Sequence, residues 1–209
     1  MIPSGMTLAA RRHISRTCPV FAALIRRVGP CRLEADRQSP YEALVRAIAH
    51  QQLHGKAART ITARFVALGS GTFPTPGEVL SFGDAAMRAC GFSAAKIAAI
   101  RDIALNAERG LVPTRRQASR MSDARLIERL TEIRGVGRWT VEMLLMFTLA
   151  RPDILPVDDF GVREGYRLLY DLPEQPRPKE LAAIGEAWSP YRSTAAWYLW
   201  RAVDEARAG

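Results

Sequence analysis

The chain has 209 residues, 48% of them hydrophobic and 24% charged, the balance of a globular protein with a core of its own. Its formal net charge is +9, nearly all of it arginine, with lysine only at Lys56, Lys96 and Lys179; such an excess suits a polyanionic partner, though solubility alone would also account for it. The longest apolar run, 143–150, is broken by Thr148 and falls far short of the roughly 18–20 residues of a membrane span, so no membrane partner is expected.

In chain order, the opening residues to His13 have neither the apolar core nor the cleavage pattern of a signal peptide. A helix is predicted over 20–28. Ser39-Pro-Tyr-Glu42 reads as a capping box with proline at the first helical position, and Leu44, Val45 and Ile48 follow at helical spacing. The pattern resumes over 57–68. Thr75-Pro-Gly-Glu78 repeats the capping box ahead of Val79 and Leu80. Helices are predicted again over 94–107, after Ser122 as a cap for Leu126, Ile127 and Leu130, and over 139–149, 161–170 and 179–206. The last must bend or break at Ser189-Pro190, since proline removes an N–H and crowds the preceding turn. Alternating strand patterns are nearly absent, so the expected fold class is all-α. Cys18, Cys31 and Cys90 are widely spaced and form no CxxC or Cys/His cluster. No zinc site, iron–sulfur cluster or disulfide framework is expected, and a reducing intracellular compartment is.

The most informative stretch runs from Leu130 to Leu145. A helix ends at Ile133, Gly135-Val136-Gly137 turns tightly, and a new apolar helix begins near Arg138. Glycine allows a close backbone approach, and the N–H groups opening a helix favour an anion. The backbone of Gly135, Val136, Gly137, Arg138 and Thr140 therefore suits a phosphate, held without reading any base. A plain helix–turn–helix corner would use the same residues.

Ile133-Arg-Gly-Val-Gly-Arg-Trp-Thr140 resembles the helix-hairpin-helix of the base-excision DNA glycosylases, the HhH-GPD superfamily. That superfamily follows the hairpin with a Gly/Pro-rich loop and an essential aspartate. Here Leu155-Pro-Val-Asp-Asp-Phe160 places Asp159 22 residues after Gly137, and the pairing is far more specific than either half. The similarity spans roughly 15–201, taking in Ala47-Ile-Ala-His-Gln-Gln-Leu53, 91–107, Trp188-Ser-Pro-Tyr-Arg-Ser193 and Trp200. It is greatest with the 3-methyladenine DNA glycosylase II (AlkA-like) branch, in a compact form without the N-terminal β domain. The resemblance implies two helical lobes with the active site in the cleft between them. One is discontinuous, 1–37 plus 153–209, and carries Asp159 and Trp200; the other, 38–152, is a helical barrel with the hairpin at about 126–149.

It further implies a monomeric enzyme that flips alkylated purines, of the 3-methyladenine and 7-methylguanine type, out of double-stranded DNA and hydrolyses the N-glycosidic bond to leave an abasic site. The setting would be the cytoplasm of a bacterium or the nucleus of a eukaryote. Asp159 aligns with the catalytic carboxylate, which stabilises the oxocarbenium-like transition state and orients water. Asp158, one residue earlier, suits an N-cap for the 161–170 helix, and both aspartates serving only as caps is the plain alternative. Trp139 stands where lyase-competent relatives carry a Schiff-base lysine, so a monofunctional hydrolase is implied. Its ring would attract a cationic base, unless it is a core residue. Trp200 lines the same pocket, with Met143 at a position usually aromatic and Phe160 walling the site, while Trp197 reads as core. Gln51-Gln52-Leu53 resembles the loop that wedges into the gap left by the flipped nucleotide, with Gln52 first, Leu53 next and Gln51 third. His50 and His54 receive no acid–base task, and Arg138 and Arg192 are candidate phosphate or site-supporting contacts. No cofactor or catalytic metal is implied; relatives hold a sodium or potassium ion on hairpin carbonyls, here those of Thr131, Ile133 and Val136. Two alternatives stand. A glycosylase of the same fold for oxidised or mismatched bases is disfavoured by the missing four-cysteine cluster and hairpin lysine. A non-catalytic hairpin module leaves Asp159 and the Trp139/Trp200 pair unexplained.

Overall fold

The computed structural model describes residues 4–51 and 55–208. Among the described residues there are helices and no strands, as the periodicity predicts. The chain divides into two compact units, one built from the segments up to Asp36 and from Leu145 onward, the other from Arg37–Leu144.

The first unit holds α1 (Ser4–Thr17), α2 (Pro19–Val28) and, after the second unit, α11 (Phe160–Leu169), α12 (Pro178–Gly185) and α13 (Arg192–Ala208). Its core is the packing of α11 on α13, with α2 against both and α1 against α2 and α13. Helix α13 is buried at every position from Ser193 to Leu199, more than an amphipathic stripe would hide, because neighbours cover it on several sides. Gly165 brings α11 so near that a Cβ there would stand 2.0 Å from the Leu199 carbonyl oxygen. Phe21, Leu24 and Ile25 supply the face of α2. The expected 179–206 helix is in fact three pieces: α12, a 3₁₀ turn at Glu186–Trp188, and α13, parted where Pro190 cannot continue the ladder.

The second unit runs through α3 (Pro40–His50), α4 (Gly55–Ala67), α5 (Pro76–Ser81), α6 (Asp84–Cys90), α7 (Ala94–Glu108), α8 (Arg115–Ala118), α9 (Asp123–Leu130) and α10 (Arg138–Met143). Helix α7 packs against α3, α5 and α6, joining Ile97, Ile100 and Ile103 to Leu44, Val45 and Ile48 in the buried core. Phe65 meets Phe73, Phe82 and Phe92 edge to face, the arrangement that ring quadrupoles favour. Thr75 and Glu78 form the predicted reciprocal capping box, and Ser122 caps α9 by accepting from the Arg125 N–H. At α3 only half the box forms. Ser39 accepts from the Glu42 N–H, while the Glu42 carboxylate turns along the helix to Arg46 at 2.8 Å. The predicted 139–149 helix starts at Arg138 and gives way after Met143 to a π-helical turn, Leu144–Thr148. Among the described residues no helix is long and apolar enough to cross a membrane.

Candidate active site

In the first unit the aspartate pair resolves differently from the capping expectation. Helix α11 begins at Phe160, one residue before the predicted start, so the N-cap is Asp159 and not Asp158, which is exposed. Asp159 has extended backbone (φ −71, ψ 122), and its Oδ1 accepts the Val162 N–H at 2.8 Å, the bond expected of an N-cap. The same Oδ1 accepts the Trp200 indole N–H at 2.8 Å, from a residue 41 positions further on. That indole stacks on Phe147, with centroids 5.7 Å apart and planes 24° from parallel. Gly161 makes the approach feasible, since a Cβ there would lie 2.8 Å from Trp200 Cδ1 and 3.2 Å from Asp159 Oδ1.

The segment leading into Asp159 is lashed to the start of α13. Ser193 Oγ donates to the Arg151 carbonyl at 2.7 Å and accepts the Ile154 N–H at 2.9 Å. The Arg192 fork grips Asp153, Nε to Oδ1 at 2.8 Å and Nη2 to Oδ2 at 2.9 Å, and Ser189 Oγ donates to Oδ2 at 2.9 Å. Burial pushes the Asp153 carboxyl up, but these Arg192 and Ser189 bonds outweigh it and hold the group below the usual carboxylate range. Arg192 is therefore a structural clamp, its guanidinium engaged by a protein carboxylate rather than held out toward a phosphate. Phe160 is 63% exposed beside Asp159, while Trp197 is buried as expected, with the Arg201 guanidinium over its ring.

In the second unit the hairpin joins α9 to α10. The Ile133 N–H bonds the Leu130 carbonyl and the Val136 N–H bonds that of Ile133, closing consecutive turns. Gly135 takes φ +78, a conformation that costs other residues, and sits where a Cβ would meet Ala99 Cβ at 2.9 Å. Gly137 has open space around it. Val136 and Thr140 are buried, so what they can offer a phosphate is backbone. Arg138 Nε bonds Glu142 Oε1 at 2.8 Å, yet the arginine side chain remains 61% exposed over a glutamate that is 3% exposed. Trp139 is 40% exposed, which excludes the core reading, and Met143 is half-buried.

Gln51, the third wedge candidate, is held back. Its Nε2 donates to the Gly135 carbonyl at 3.4 Å, and its own carbonyl accepts from Lys96 Nζ at 2.8 Å. Lys96 also bonds the Ala49 carbonyl, closing the end of α3, and burial lowers its affinity for the proton. Gln52 and Leu53, with His54, lie outside the described residues. Burial, helped by the charges of Arg46, Lys96 and Arg59, lowers the pKa of His50, which disfavours its cationic form. Of the candidate cation ligands, the Ile133 carbonyl already accepts the Val136 N–H at 3.0 Å, and no cluster of three His, Cys, Asp or Glu side chains lies among the described residues.

The chain thus carries both a hairpin whose first glycine takes a positive φ and an aspartate that caps α11. A family model for the HhH-GPD superfamily of base excision DNA repair proteins matches residues 45–190. The chain belongs to this superfamily. Within it, the chain is 46% identical over 195 residues to DNA-3-methyladenine glycosylase 1 of Schizosaccharomyces pombe, covering 92% of this chain and 86% of that one. Its fold is similar to a solved structure of Schizosaccharomyces pombe 3-methyladenine DNA glycosylase in complex with abasic DNA, at TM-score 0.85 and 45% identity over 92% of this chain and 95% of that one. A DNA-3-methyladenine glycosidase of Bacillus halodurans gives TM-score 0.84 at 34% identity, over 95% and 91% of the two chains. The chain thus spans most of the length of each of these relatives. Sequence reasoning missed Phe147, Lys96 and Asp153, and took Trp200 only for a pocket wall. The glycine directly after Phe160 was the available signal, a position where something must come close.

Proposed function

We propose that this HhH-GPD protein is a monofunctional DNA glycosylase that excises alkylated purines from double-stranded DNA. The observation that carries the reading is the half-buried Asp159 carboxylate, oriented by two N–H donors in a chain of this superfamily. The relatives' names supply the substrate class.

Alkylation at N3 or N7 makes a purine cationic, so the base can depart as a neutral molecule carrying the bonding pair. Positive charge then spreads over the sugar, and an ionised carboxylate beside it stabilises the transition state strongly in a water-poor site. Water adds its oxygen to the sugar carbon and gives up a proton, with Asp159 as the group to orient it. A leaving group already charged needs no metal or cofactor. The Trp139 ring, 40% exposed, suits a cationic base, an attraction worth about 0.5–2 kcal/mol, with Met143 and Phe160 as further pocket residues. An indole has no amine to form a Schiff base, so the product is an abasic site in an intact strand. The hairpin backbone at Gly135–Gly137, with Arg138 beside it, would anchor a phosphate, and a monovalent cation on the carbonyls of Thr131, Ile133 and Val136 would support that turn. We take the working form as a monomer, acting in the cytoplasm of a bacterium or the nucleus of a eukaryote.

The test incubates methylated duplex DNA with wild type and Asp159→Asn and measures both freed bases and abasic sites. Wild type should release 3-methyladenine, and Asp159→Asn should be slower by about 100-fold or more. Asparagine caps a helix as well as aspartate, so the variant keeps its fold. Tight binding with no release by wild type would favour a non-catalytic module, and strand nicking without heat or added base would end the monofunctional assignment.

A further inference from the structure

We propose that Trp200 is a positioning residue, acting on the reaction through Asp159. This rests on Asp159 being the reacting carboxylate. Capping α11 requires one acceptor bond, and Val162 provides it. The second donor on the same Oδ1 comes from another element, α13, and is unnecessary for the cap. Two donors fixed on separate elements restrict both side-chain torsions of the aspartate.

The donor is itself immobilised. Trp200 follows a fully buried stretch of α13 and lies over Phe147, which occupies one face of its ring. Gly161 leaves the indole edge just enough room to reach the carboxylate. The donor's chemistry also fits. A lysine or arginine in its place would hold the carboxylate equally well but would bring a positive charge beside the cationic sugar. An indole N–H is a donor without charge and without an accessible titration. It orders the anion and leaves its charge for the transition state.

Stacking and positioning separate in kinetics. Trp200→Phe keeps a ring against Phe147 and removes the N–H. Loss of a hydrogen bond to a charged group should lower kcat by between about 10- and 100-fold, with KM within about twofold. Combined with Asp159→Asn it should add little, since the two act as one unit. A second measurement does not depend on catalysis. The Trp200 indole ¹H–¹⁵N resonance, assigned by its loss in Trp200→Phe, should move upfield in Asp159→Asn, because an amide oxygen is the weaker acceptor. A raised KM at unchanged kcat, or an indole resonance indifferent to Asp159→Asn, overturns the proposal. Undiminished base release by Asp159→Asn would instead remove the catalytic reading beneath it, while the resonance would still report the bond.

Discussion

Gly161 occupies a position where a single methyl group would decide whether a carboxylate and an indole can meet. A Cβ would stand 2.8 Å from Trp200 Cδ1, 3.1 Å from its Nε1 and 3.2 Å from Asp159 Oδ1, and the indole is backed by Phe147. Gly161→Ala should therefore destabilise the protein by about 1–3 kcal/mol, the usual range for overpacking, and reduce base release by more than the lost stability explains. Thermal unfolding and single-turnover kinetics on the same preparation check both parts. Resemblance to the superfamily, carried by the hairpin and the aspartate that follows it, singled out Asp159 in the sequence. The bond to Trp200 was not legible, since 41 residues separate the partners and only the packing of α11 on α13 brings them together. Arg192 stays open in the sequence between a phosphate contact and a support for the site, for a related reason, and the structure shows the support. A solvent-seeking arginine and one clamped by a distant aspartate look alike until the fold supplies Asp153.

The two glycines of the hairpin make opposite demands on the chain. Gly135 needs its positive φ and abuts Ala99 on the rigid helix α7, whereas Gly137 has ordinary backbone and empty space about it. Gly135→Ala should cost about 1–2 kcal/mol for the left-handed backbone, with overpacking added. Gly137→Ala should leave stability within about 0.5 kcal/mol of wild type, yet weaken duplex binding if a phosphate approaches that backbone closely. Denaturant unfolding and DNA titration of the pair separate fold from contact; equal binding by Gly137→Ala and wild type would remove the hairpin from the DNA interface. Helices opened by a Ser or Thr cap were readable because a cap is a local event, as at Thr75 and Ser122. The π turn at Leu144–Thr148 was not, because an apolar run keeps its helical look when one turn widens.

Across the whole molecule the net charge of +9 sets how strongly any duplex is held. Each phosphate neutralised releases a counterion, so affinity for undamaged duplex should fall by at least about tenfold between about 50 and 200 mM salt. The release rate from enzyme saturated with damaged DNA should change far less, because the ionic contacts act on association. Binding titrations and single-turnover rates across a salt series check this, and a flat affinity would mean the arginines serve only solubility. Helical content and the hairpin were legible from periodicity and glycine placement. Which helices share a core was not, since the first unit draws its parts from both ends of the described chain.

That discontinuity has a consequence for how the molecule is made. Residues 37–144 are contiguous, so the hairpin unit has all its contacts available once that stretch leaves the ribosome. Helices α1 and α2 emerge before α13 and must wait for it, since both pack against it. Asp159 emerges before Trp200, so its carboxylate gains its second donor only as the final helix docks. The paired donors on Asp159 can therefore form only after α13 has been made and has packed on α11, whatever the order in which the rest of the chain folds.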